Sequence, residues 1–453
     1  MANRMTITAT APPDGGYGWV IVVCFLIINS CLLPLTQCFG IIYGKQFSDM
    51  NITAAEISFL LHLNNSVMCS LGLFSGPLLK RFDFRQVSFM GSCLVCLGIL
   101  ATAFAKSYEA LIVTVGIIIG AGQGILMPGM YIAVNSYFKR RLTLAISVQV
   151  TGASLTQIFM PQVCRFLLEE YDVQGTILIL AGISLNVIPM AILLRPLKKP
   201  DPPPVQQTQS DHELESSEKG HVSERLLSPV YRETTVPAKN KQRRCAGIIK
   251  MLDLELFADR VYVIIIIGMG ISFVSELNVI LMTPFILDEL AGFAKKDVAT
   301  AMSVQASADI IGRLVIPIIA HRGGVPSKVM YIISLLGSSL GRTVLSIYYG
   351  EYYVVFLACA IVGLSKGIKA VFQSVIIPKH VSPDRLAAAT GLNMISNGIL
   401  SLILGPLIGW SHDISESYVY SLHVATALSL FCVALWTVDY LLSPKKPSQI
   451  EGP

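Results

Sequence analysis

Long apolar segments alternate with short polar stretches along almost the whole chain. Each segment has about 20 residues or more, the length that a helix needs to cross the hydrocarbon core of a membrane. The pattern predicts twelve spanning helices, over residues 17–44, 56–79, 86–106, 109–137, 142–168, 174–195, 258–287, 297–320, 327–349, 352–377, 386–410 and 415–442. We therefore expect an all-α membrane protein rather than a soluble domain.

One stretch, between the sixth and seventh predicted spans, has a different composition. Residues 196–257 are rich in Pro, Gln, Ser and charged residues, and such a segment has too little apolar surface to fold alone. We expect a largely disordered linker there, between a six-helix half over residues 17–195 and a second over residues 258–442. Two such halves are typical of a transporter of the major facilitator type, whose substrate binds near the midplane between them.

Composition and charge support a membrane protein. Of the 453 residues, 53% are hydrophobic and 14% are charged, against about 25% charged in a soluble domain. Basic residues are concentrated in alternate loops, so the positive-inside rule places the linker and the tails, residues 1–16 and 443–453, in the cytoplasm. The net charge of +5 gives no reason to expect a nucleic-acid partner. The ten cysteines lie mostly in apolar segments, where we interpret them as packing residues, and we expect no metal or cofactor.

A glycine-rich stretch, PPDGGYGW over residues 12–19, stands directly before the first predicted helix. Asp14 can accept hydrogen bonds from the free N–H groups at the start of that helix. Gly16 permits a tight turn, and Tyr17 and Trp19 favour the membrane interface. We therefore interpret the stretch as a helix entry rather than as a phosphate-binding loop.

The same stretch resembles the signature that opens the first span of the monocarboxylate transporter family. A second signature of that family is similar to residues 137–152, which begin YFKRRLTLA before the fifth span. The loop over residues 76–85 resembles a cytoplasmic loop motif of the wider superfamily, with Lys80 where an acid is usual. The resemblance implies a conformational role for residues of these motifs, namely Asp14, Gly16, Trp19, Arg81, Lys139, Arg140, Arg141 and Gly152.

This resemblance also carries expectations about function. It implies carrier-mediated passage of small carboxylates, often with a proton, across the plasma membrane. It suggests a single-span immunoglobulin-like chaperone as a partner, in addition to the membrane lipid. The chain offers no nucleophile–base set or cofactor loop, so we do not expect an enzyme.

Charged residues inside the predicted spans are costly to bury and are therefore candidates for function. The first half has none in mid-span. The second half has four cationic and two acidic residues there, namely Glu276, Asp309, Arg313, Arg342, Lys366 and Lys369. The excess of positive charge suits an anionic substrate.

Asp309 and Arg313 are one helical turn apart and can pair, and Gln305 continues the same face. One interpretation is a structural ion pair that neutralises Arg313. The other is that the planar fork of Arg313 holds a carboxylate while Asp309 balances the charge or relays a proton. The resemblance favours the second, because an Asp and an Arg at this spacing in the eighth span serve transport in the family.

Lys366 and Lys369 lie near the middle of the tenth span, too deep to reach the interface easily. The resemblance implies an aromatic residue near Lys366 in lactate carriers, so a base there predicts a more cationic or wider site. Phe372 is nearby on another face. Glu276 can pair with one of the two lysines or take a proton.

Gln37 stands where the resemblance implies a lysine in lactate–proton carriers, and glutamine carries neither a charge nor a proton. The leading hypothesis is a carrier of small organic anions, most simply monocarboxylates, with or without proton symport, by rocker-switch alternating access. The alternatives are a uniporter of a zwitterion, an aromatic amino acid or a larger acid, and a receptor or scaffold that transports nothing. The residues expected to bind substrate are Arg313, Lys366, Lys369, Gln37, Gln305 and Phe372.

Overall fold

The computed structural model of the chain describes residues 14–138, 141–195, 254–382 and 385–442. The predicted tails lie mostly outside these residues, as does the predicted linker except for its last few positions. All regular structure within the described residues is helical. The expected all-α fold is therefore confirmed for this part of the chain.

The first half consists of long helices with short breaks. A break at Cys38 divides the first span, and a π-helical stretch, Ile112–Ile119, interrupts the fourth. The helices are α1 (Tyr17–Gln37), α2 (Phe39–Asp49), α3 (Ala54–Arg81), α4 (Phe84–Thr102), α5 (Tyr108–Leu111), α6 (Gly120–Tyr137), α7 (Leu142–Ser184) and α8 (Val187–Ile192).

The second half follows the same plan. A 3-10 turn, Leu254–Ala258, precedes it, and a π-helical stretch, Ile286–Leu290, ends its first span. The helices are α9 (Arg260–Phe285), α10 (Lys295–Leu314), α11 (Ile316–Arg322), α12 (Ser327–Ile347), α13 (Tyr352–His380), α14 (Leu386–Ser415) and α15 (Tyr418–Leu442).

Nine helices in the described residues are long and apolar enough to cross a membrane. One of them, Leu144–Ile192, has 49 residues and contains the non-helical Asp172, with φ 55° and ψ −176°, so it provides the fifth and sixth spans. The shorter apolar helix Tyr17–Leu32 lies in the first span. The second span is α3, whose polar side chains lower its hydropathy. Together these segments give the twelve predicted spans.

Successive spans alternate in direction, so α1 begins and α15 ends on one side of the bundle. We call this the termini side and the opposite side the far side. Buried apolar side chains form three cores: one mainly in the first half, which Leu281 of α9 also joins, and two in the second half. Between the halves, the most extensive packing joins α3 with α14 and α7 with α10. Large apolar side chains such as Leu97, Phe159 and Ile403 are exposed on the surface.

Candidate functional site

Close packing of α10 against α13 brings charged residues together in the second half. Gly363 and Gly367 of α13 lie directly on the backbone of Gln305 and Asp309 of α10, and a methyl group on either glycine would meet that backbone. The two helices therefore approach as closely as helices can. This packing places Lys366 of α13 beside Asp309.

Asp309 is the centre of the first charged group. Arg313 donates to both of its carboxylate oxygens, from Nε to Oδ1 at 2.9 Å and from Nη2 to Oδ2 at 3.1 Å. Lys366 Nζ lies 3.8 Å from Oδ2 of the same carboxylate. The Asp309 side chain is 1% exposed, whereas 22% of the Arg313 side chain and 14% of the Lys366 side chain remain accessible. Two reachable cations therefore share one buried acid.

Lys369 and Glu276 form the second charged group, between α13 and α9. Their side chains make an ion pair, and Lys369 Nζ also donates to the carbonyl oxygen of Ser272 at 2.9 Å. The structure thus shows Glu276 paired with one of the tenth-span lysines, one of the two roles considered from the sequence.

Arg342 of α12 is buried among serines. Its Nη1 donates to Ser275 Oγ at 2.6 Å, and its Nη2 donates to Ser429 Oγ at 2.8 Å and to Ser339 Oγ at 3.4 Å. Nε donates to the carbonyl oxygen of Ser338 at 3.2 Å. Arg342 is one of the charges that the sequence places in a span, but it is not among the predicted site residues. The scattered serines that surround it come from three helices and give no local sequence pattern.

A small polar cavity lies between these groups, and the space in and around its mouth is about 210 Å³. Its walls come from α9, α12, α13 and α15, and they are made almost entirely of hydroxyl and charged side chains. The lining residues are Ser272, Glu276, Ser334, Leu335, Ser338, Arg342, Ser365, Lys366, Lys369 and Ser429. Lys366 both lines this cavity and faces Asp309, so it connects the two charged groups.

The remaining predicted substrate residues lie elsewhere. Gln37 of the first half donates from Nε2 to Gln157 Oε1 at 2.8 Å, so its described partner is a neutral amide of α7. Gln305 is buried where α10 meets α13. Phe372 is buried in the apolar core of the second half and does not line the polar cavity.

The glycine-rich stretch before α1 (the first motif) packs on the start of the second family signature (the second motif) at the termini side. The ring of Trp19 meets that of Phe138 edge-on at 5.2 Å, and Tyr17 Oη donates to the carbonyl oxygen of Leu193 at 2.7 Å. Gly16 has φ +58°, a conformation that favours glycine, as the predicted tight turn requires. Gly18 lies so close to Phe138 that a methyl group would overlap its ring. The two motifs therefore form one structural unit.

Asp14 was expected to accept N–H groups at the start of the first helix. In the structure, its Oδ1 accepts from the backbone N–H of Arg141, at the start of α7, at 3.3 Å. Its own N–H donates to the carbonyl oxygen of Tyr137 at 3.0 Å. The acid therefore serves the fifth span, because the second motif folds back against the first. Sequence alone could not show this long-range contact.

The remaining motif residues are Lys139, Arg140, Gly152 and Arg81. Lys139 and Arg140 lie outside the described residues. Gly152 faces Leu26 of α1 so closely that a methyl group at position 152 would overlap the Leu26 side chain. Arg81 is the last residue of α3 and is exposed.

The two halves are joined on the far side by α3 and α14. The backbone N–H groups of Ala54 and Ala55, in the first turn of α3, donate to Oδ1 and Oδ2 of Asp413 at 2.9 Å each. A carboxylate at a helix N-terminus is favoured because the free N–H groups and the helix dipole both attract it. This contact closes the far side at its outermost point.

A buried hydrogen-bond network continues this closure about 12 Å deeper, eight residues along α3. His62 of the first half contacts Ser401 Oγ through Nδ1 and Asn278 Nδ2 through Nε2, both at 2.7 Å. Ser58 Oγ lies 2.6 Å from Asn278 Oδ1 and donates to the carbonyl oxygen of Gly405 at 2.8 Å. This network could not be predicted from the sequence, because its members are distant in the chain.

A second contact between the two halves joins α7 with α10 and also lies toward the far side. Ser303 Oγ donates to the carbonyl oxygen of Ile158 at 2.7 Å, and Gln162 Nε2 donates to Thr300 Oγ1 at 3.3 Å. The hydrogen bonds that join the two halves in the described residues thus lie between the middle of the bundle and its far side. The described conformation is closed on the far side.

Comparison with known proteins defines the class. A sequence model of the Major Facilitator Superfamily matches residues 18–406, which is most of the chain. The chain belongs to this superfamily. It is a multi-pass membrane transporter and not an enzyme.

Its curated relatives are monocarboxylate transporters, the family that the two motifs resemble. Monocarboxylate transporter 9 of Gallus gallus is 24% identical over 94% of this chain and 92% of the relative. Monocarboxylate transporter 14 of Homo sapiens is 22% identical, with coverages of 94% and 91%. Monocarboxylate transporter 1 of Mus musculus is 23% identical, with coverages of 90% and 82%.

Solved structures show the same fold at lower identity. A nucleoside transporter, NupG in a mutant form, has a TM-score of 0.68 and 13% identity, covering 93% of this chain and 99% of its own. A peptide transporter, POT in complex with sulfate, has a TM-score of 0.68 and 14% identity, with coverages of 97% and 99%. At these identities the likeness concerns the fold alone.

Proposed function

We propose that the protein carries small organic anions across the plasma membrane, most simply monocarboxylates of the lactate and pyruvate class. The observation that carries this proposal is the group formed by Asp309, Arg313 and Lys366. Two partly accessible cations share one buried acid there. The names of the relatives point to the same class of substrate.

Recognition would begin at Arg313. Its guanidinium is a planar fork that fits a carboxylate, and this fork is already held in a carboxylate-binding geometry by Asp309. A substrate carboxylate would share the guanidinium of Arg313 with Asp309 or would take the place of Asp309 on it. Lys366, 3.8 Å from the same acid, would add a second positive charge.

A proton would follow from the contact between two carboxylates. A substrate carboxylate bound to Arg313 and Lys366 would lie beside the carboxylate of Asp309, and two adjacent like charges favour a proton on one of them. A proton on Asp309 would remove this repulsion inside the membrane. In this scheme, binding of the anion and of a proton are linked through Asp309.

Transport would proceed as the two halves rock about this site, with membrane lipid around them. The positive-inside rule places the termini side in the cytoplasm, so the described conformation would open inward. Asp413 and the buried network around His62 would then separate when the carrier opens outward. The single-span immunoglobulin-like chaperone stays a prediction from the family resemblance.

The experiment is uptake of labelled lactate and pyruvate into proteoliposomes, with and without an inward proton gradient. We expect saturable uptake that the gradient stimulates, and we expect Asp309→Asn to lose the stimulation. Asp297→Asn is the matched control, because Asp297 lies in the first turn of the same helix and its carboxylate accepts a hydrogen bond only from Tyr352 Oη among described partners. If neither acid anion is taken up by folded protein, the proposed substrate class is wrong.

Lys366 gives a second test of the same site. Lys366→Met keeps the length of the side chain but removes its charge, so the apparent affinity for the anion should fall several-fold. Unchanged uptake, with normal surface expression, would exclude Lys366 from the substrate site.

A second candidate is a uniporter that moves a different small metabolite without a proton. Gln37 favours it, because this residue and its partner Gln157 form a neutral amide pair. The same experiment separates the two candidates. Uptake of lactate that ignores the gradient indicates facilitated diffusion, whereas uptake of a zwitterion, an aromatic amino acid or a larger acid in place of lactate indicates the other substrates.

A further inference from the structure

Arg342 has an unusual environment for a buried charge. The residue is 1% exposed, and its described hydrogen bonds all go to neutral serine oxygens. Among the ion pairs between described residues, none includes Arg342. The negative charge of Glu276 acts on it from a distance, but Glu276 is bonded to Lys369. A buried cation without a contacting anion is costly.

We propose that Arg342 and the cavity beside it bind one small inorganic anion, with the size and chemistry of chloride. This site is separate from the Asp309–Arg313 pair, because neither of those residues lines the cavity. It also does not depend on which metabolite the carrier moves. The bound anion would neutralise Arg342 within the membrane.

The cavity offers hydrogen-bond donors for such an anion. Ser338 and Ser365 line it, and the structure gives neither hydroxyl a hydrogen bond within the described residues. By contrast, Ser334 Oγ donates to the carbonyl oxygen of Tyr331 at 2.6 Å. A hydroxyl group can rotate to present its proton, so Ser338 and Ser365 can both donate to an anion at the centre.

Charge in the cavity wall favours an anion as well. Three cationic side chains line the cavity, Arg342, Lys366 and Lys369, against the single carboxylate of Glu276. Lys369 is engaged by Glu276, and Lys366 stands 3.8 Å from Asp309 outside the wall. Of these three cations, Arg342 is therefore the one that contacts no anionic side chain among the described residues.

Size favours a monatomic anion. The space between the walls holds about one water-sized body. A halide ion fits such a space with little adjustment. A carboxylate brings two oxygens and the carbon chain behind them, so it would need the walls to move.

The test is equilibrium binding of radiolabelled chloride to the purified full-length chain in detergent, at constant ionic strength set with sodium methanesulfonate, which is not a carboxylate. We expect one saturable site. Arg342→Gln should lower its affinity at least tenfold, and Ser338→Ala and Ser365→Ala should each lower it several-fold. Ser346→Ala is the matched control on the same helix, because Ser346 Oγ bonds to the carbonyl oxygen of Thr343 and does not line the cavity.

Three results would overturn the proposal. The first is no saturable chloride binding by folded wild-type protein. The second is binding that Arg342→Gln and the two cavity serine variants leave unchanged. The third is competitive displacement of chloride by lactate, which would make the cavity part of the substrate site. Should Arg342→Gln fail to fold, Arg342→Lys keeps the charge but loses the fork, and it should weaken chloride binding several-fold relative to wild type; unchanged binding would again overturn the proposal.

Discussion

The two halves of the transporter share a helical plan but differ in what they bury. In the second half, Asp309, Arg313, Lys366, Lys369 and Glu276 meet at mid-depth in two linked groups. In the first half, the corresponding depth holds neutral contacts such as the amide pair that Gln37 forms with Gln157. Under the proposed function, this difference corresponds to a division of roles: one half would carry the charges that select an anion, and the other would present a neutral surface against which it moves.

Most of the charges buried in the second half are bonded to one another, and Arg342 is the exception. Asp309 and Arg313 satisfy each other within one helix, and Glu276 and Lys369 do so between helices. Removing one partner of such a pair leaves an uncompensated charge, which is much more costly than the loss of one hydrogen bond. Substitutions there should therefore have larger effects than substitutions in the neutral half.

The largest effect is expected for Arg313→Lys. A lysine keeps the positive charge but cannot bind both oxygens of Asp309, nor offer a planar fork to a substrate. We expect the initial rate of labelled lactate uptake into proteoliposomes to fall at least tenfold. Arg165→Lys is the matched control in the first half, because Arg165 also pairs with an acid one turn away, Glu169, at 2.7 Å. Equal effects of the two variants would contradict the proposed division of roles.

The next effect concerns the contact that holds the halves together. Asp413→Asn removes the charge that the N–H groups of Ala54 and Ala55 bind, so it should weaken the far-side closure by about 1–2 kcal/mol. The balance between conformations would then shift roughly 5–30-fold toward the one that is open on the far side.

This shift can be measured between the far-side loops. Spin labels at Lys106 and Glu351, both exposed and in different halves, should show a longer distance in a larger fraction of molecules. Asp288→Asn changes another exposed acid near the far side and should leave the distribution as it is. A distribution that Asp413→Asn does not change would mean that this contact does not hold the far side closed.

A smaller effect is expected when a charge is placed in the neutral half. Gln37→Lys puts a cation beside Gln157, where the family resemblance implies a lysine in lactate–proton carriers. A partly screened charge should contribute about 0.5–1 kcal/mol to anion binding, and the apparent KM for lactate should fall roughly two- to fivefold. Gln37→Met removes the amide without adding charge and serves as the control. A KM that rises with Gln37→Lys would show that the first half must stay neutral.

Local sequence patterns predicted the parts of this molecule that depend on local physics. Apolar length gave the spans, and the one-turn spacing of Asp309 and Arg313 gave their pair, because helical geometry places such residues side by side. The break at Asp172 falls between the predicted fifth and sixth spans, where a turn was needed.

Contacts between distant helices could not be predicted in the same way. The serines around Arg342 come from α9, α12 and α15, and nothing in any one segment marks them as a group. His62 meets Asn278 and Ser401 across the two halves for the same reason. Asp14 was assigned to the nearest helix, whereas packing of the two motifs places it at the start of α7.

The smallest effect on transport is expected at the motif that links α1 and α7, far from the charged groups. Gly16 has φ +58° and open space around it, so Gly16→Ala should cost backbone strain alone, about 1–2 kcal/mol of stability. Gly182→Ala is the control, because Gly182 also has open space but lies within a helix, where alanine is favoured. Thermal unfolding should occur at a lower temperature for the first variant only, while both keep at least half of wild-type lactate uptake. A strong loss of uptake in stable Gly16→Ala protein would instead show that the turn moves during transport, which would extend the neutral half's role beyond that of a packing surface.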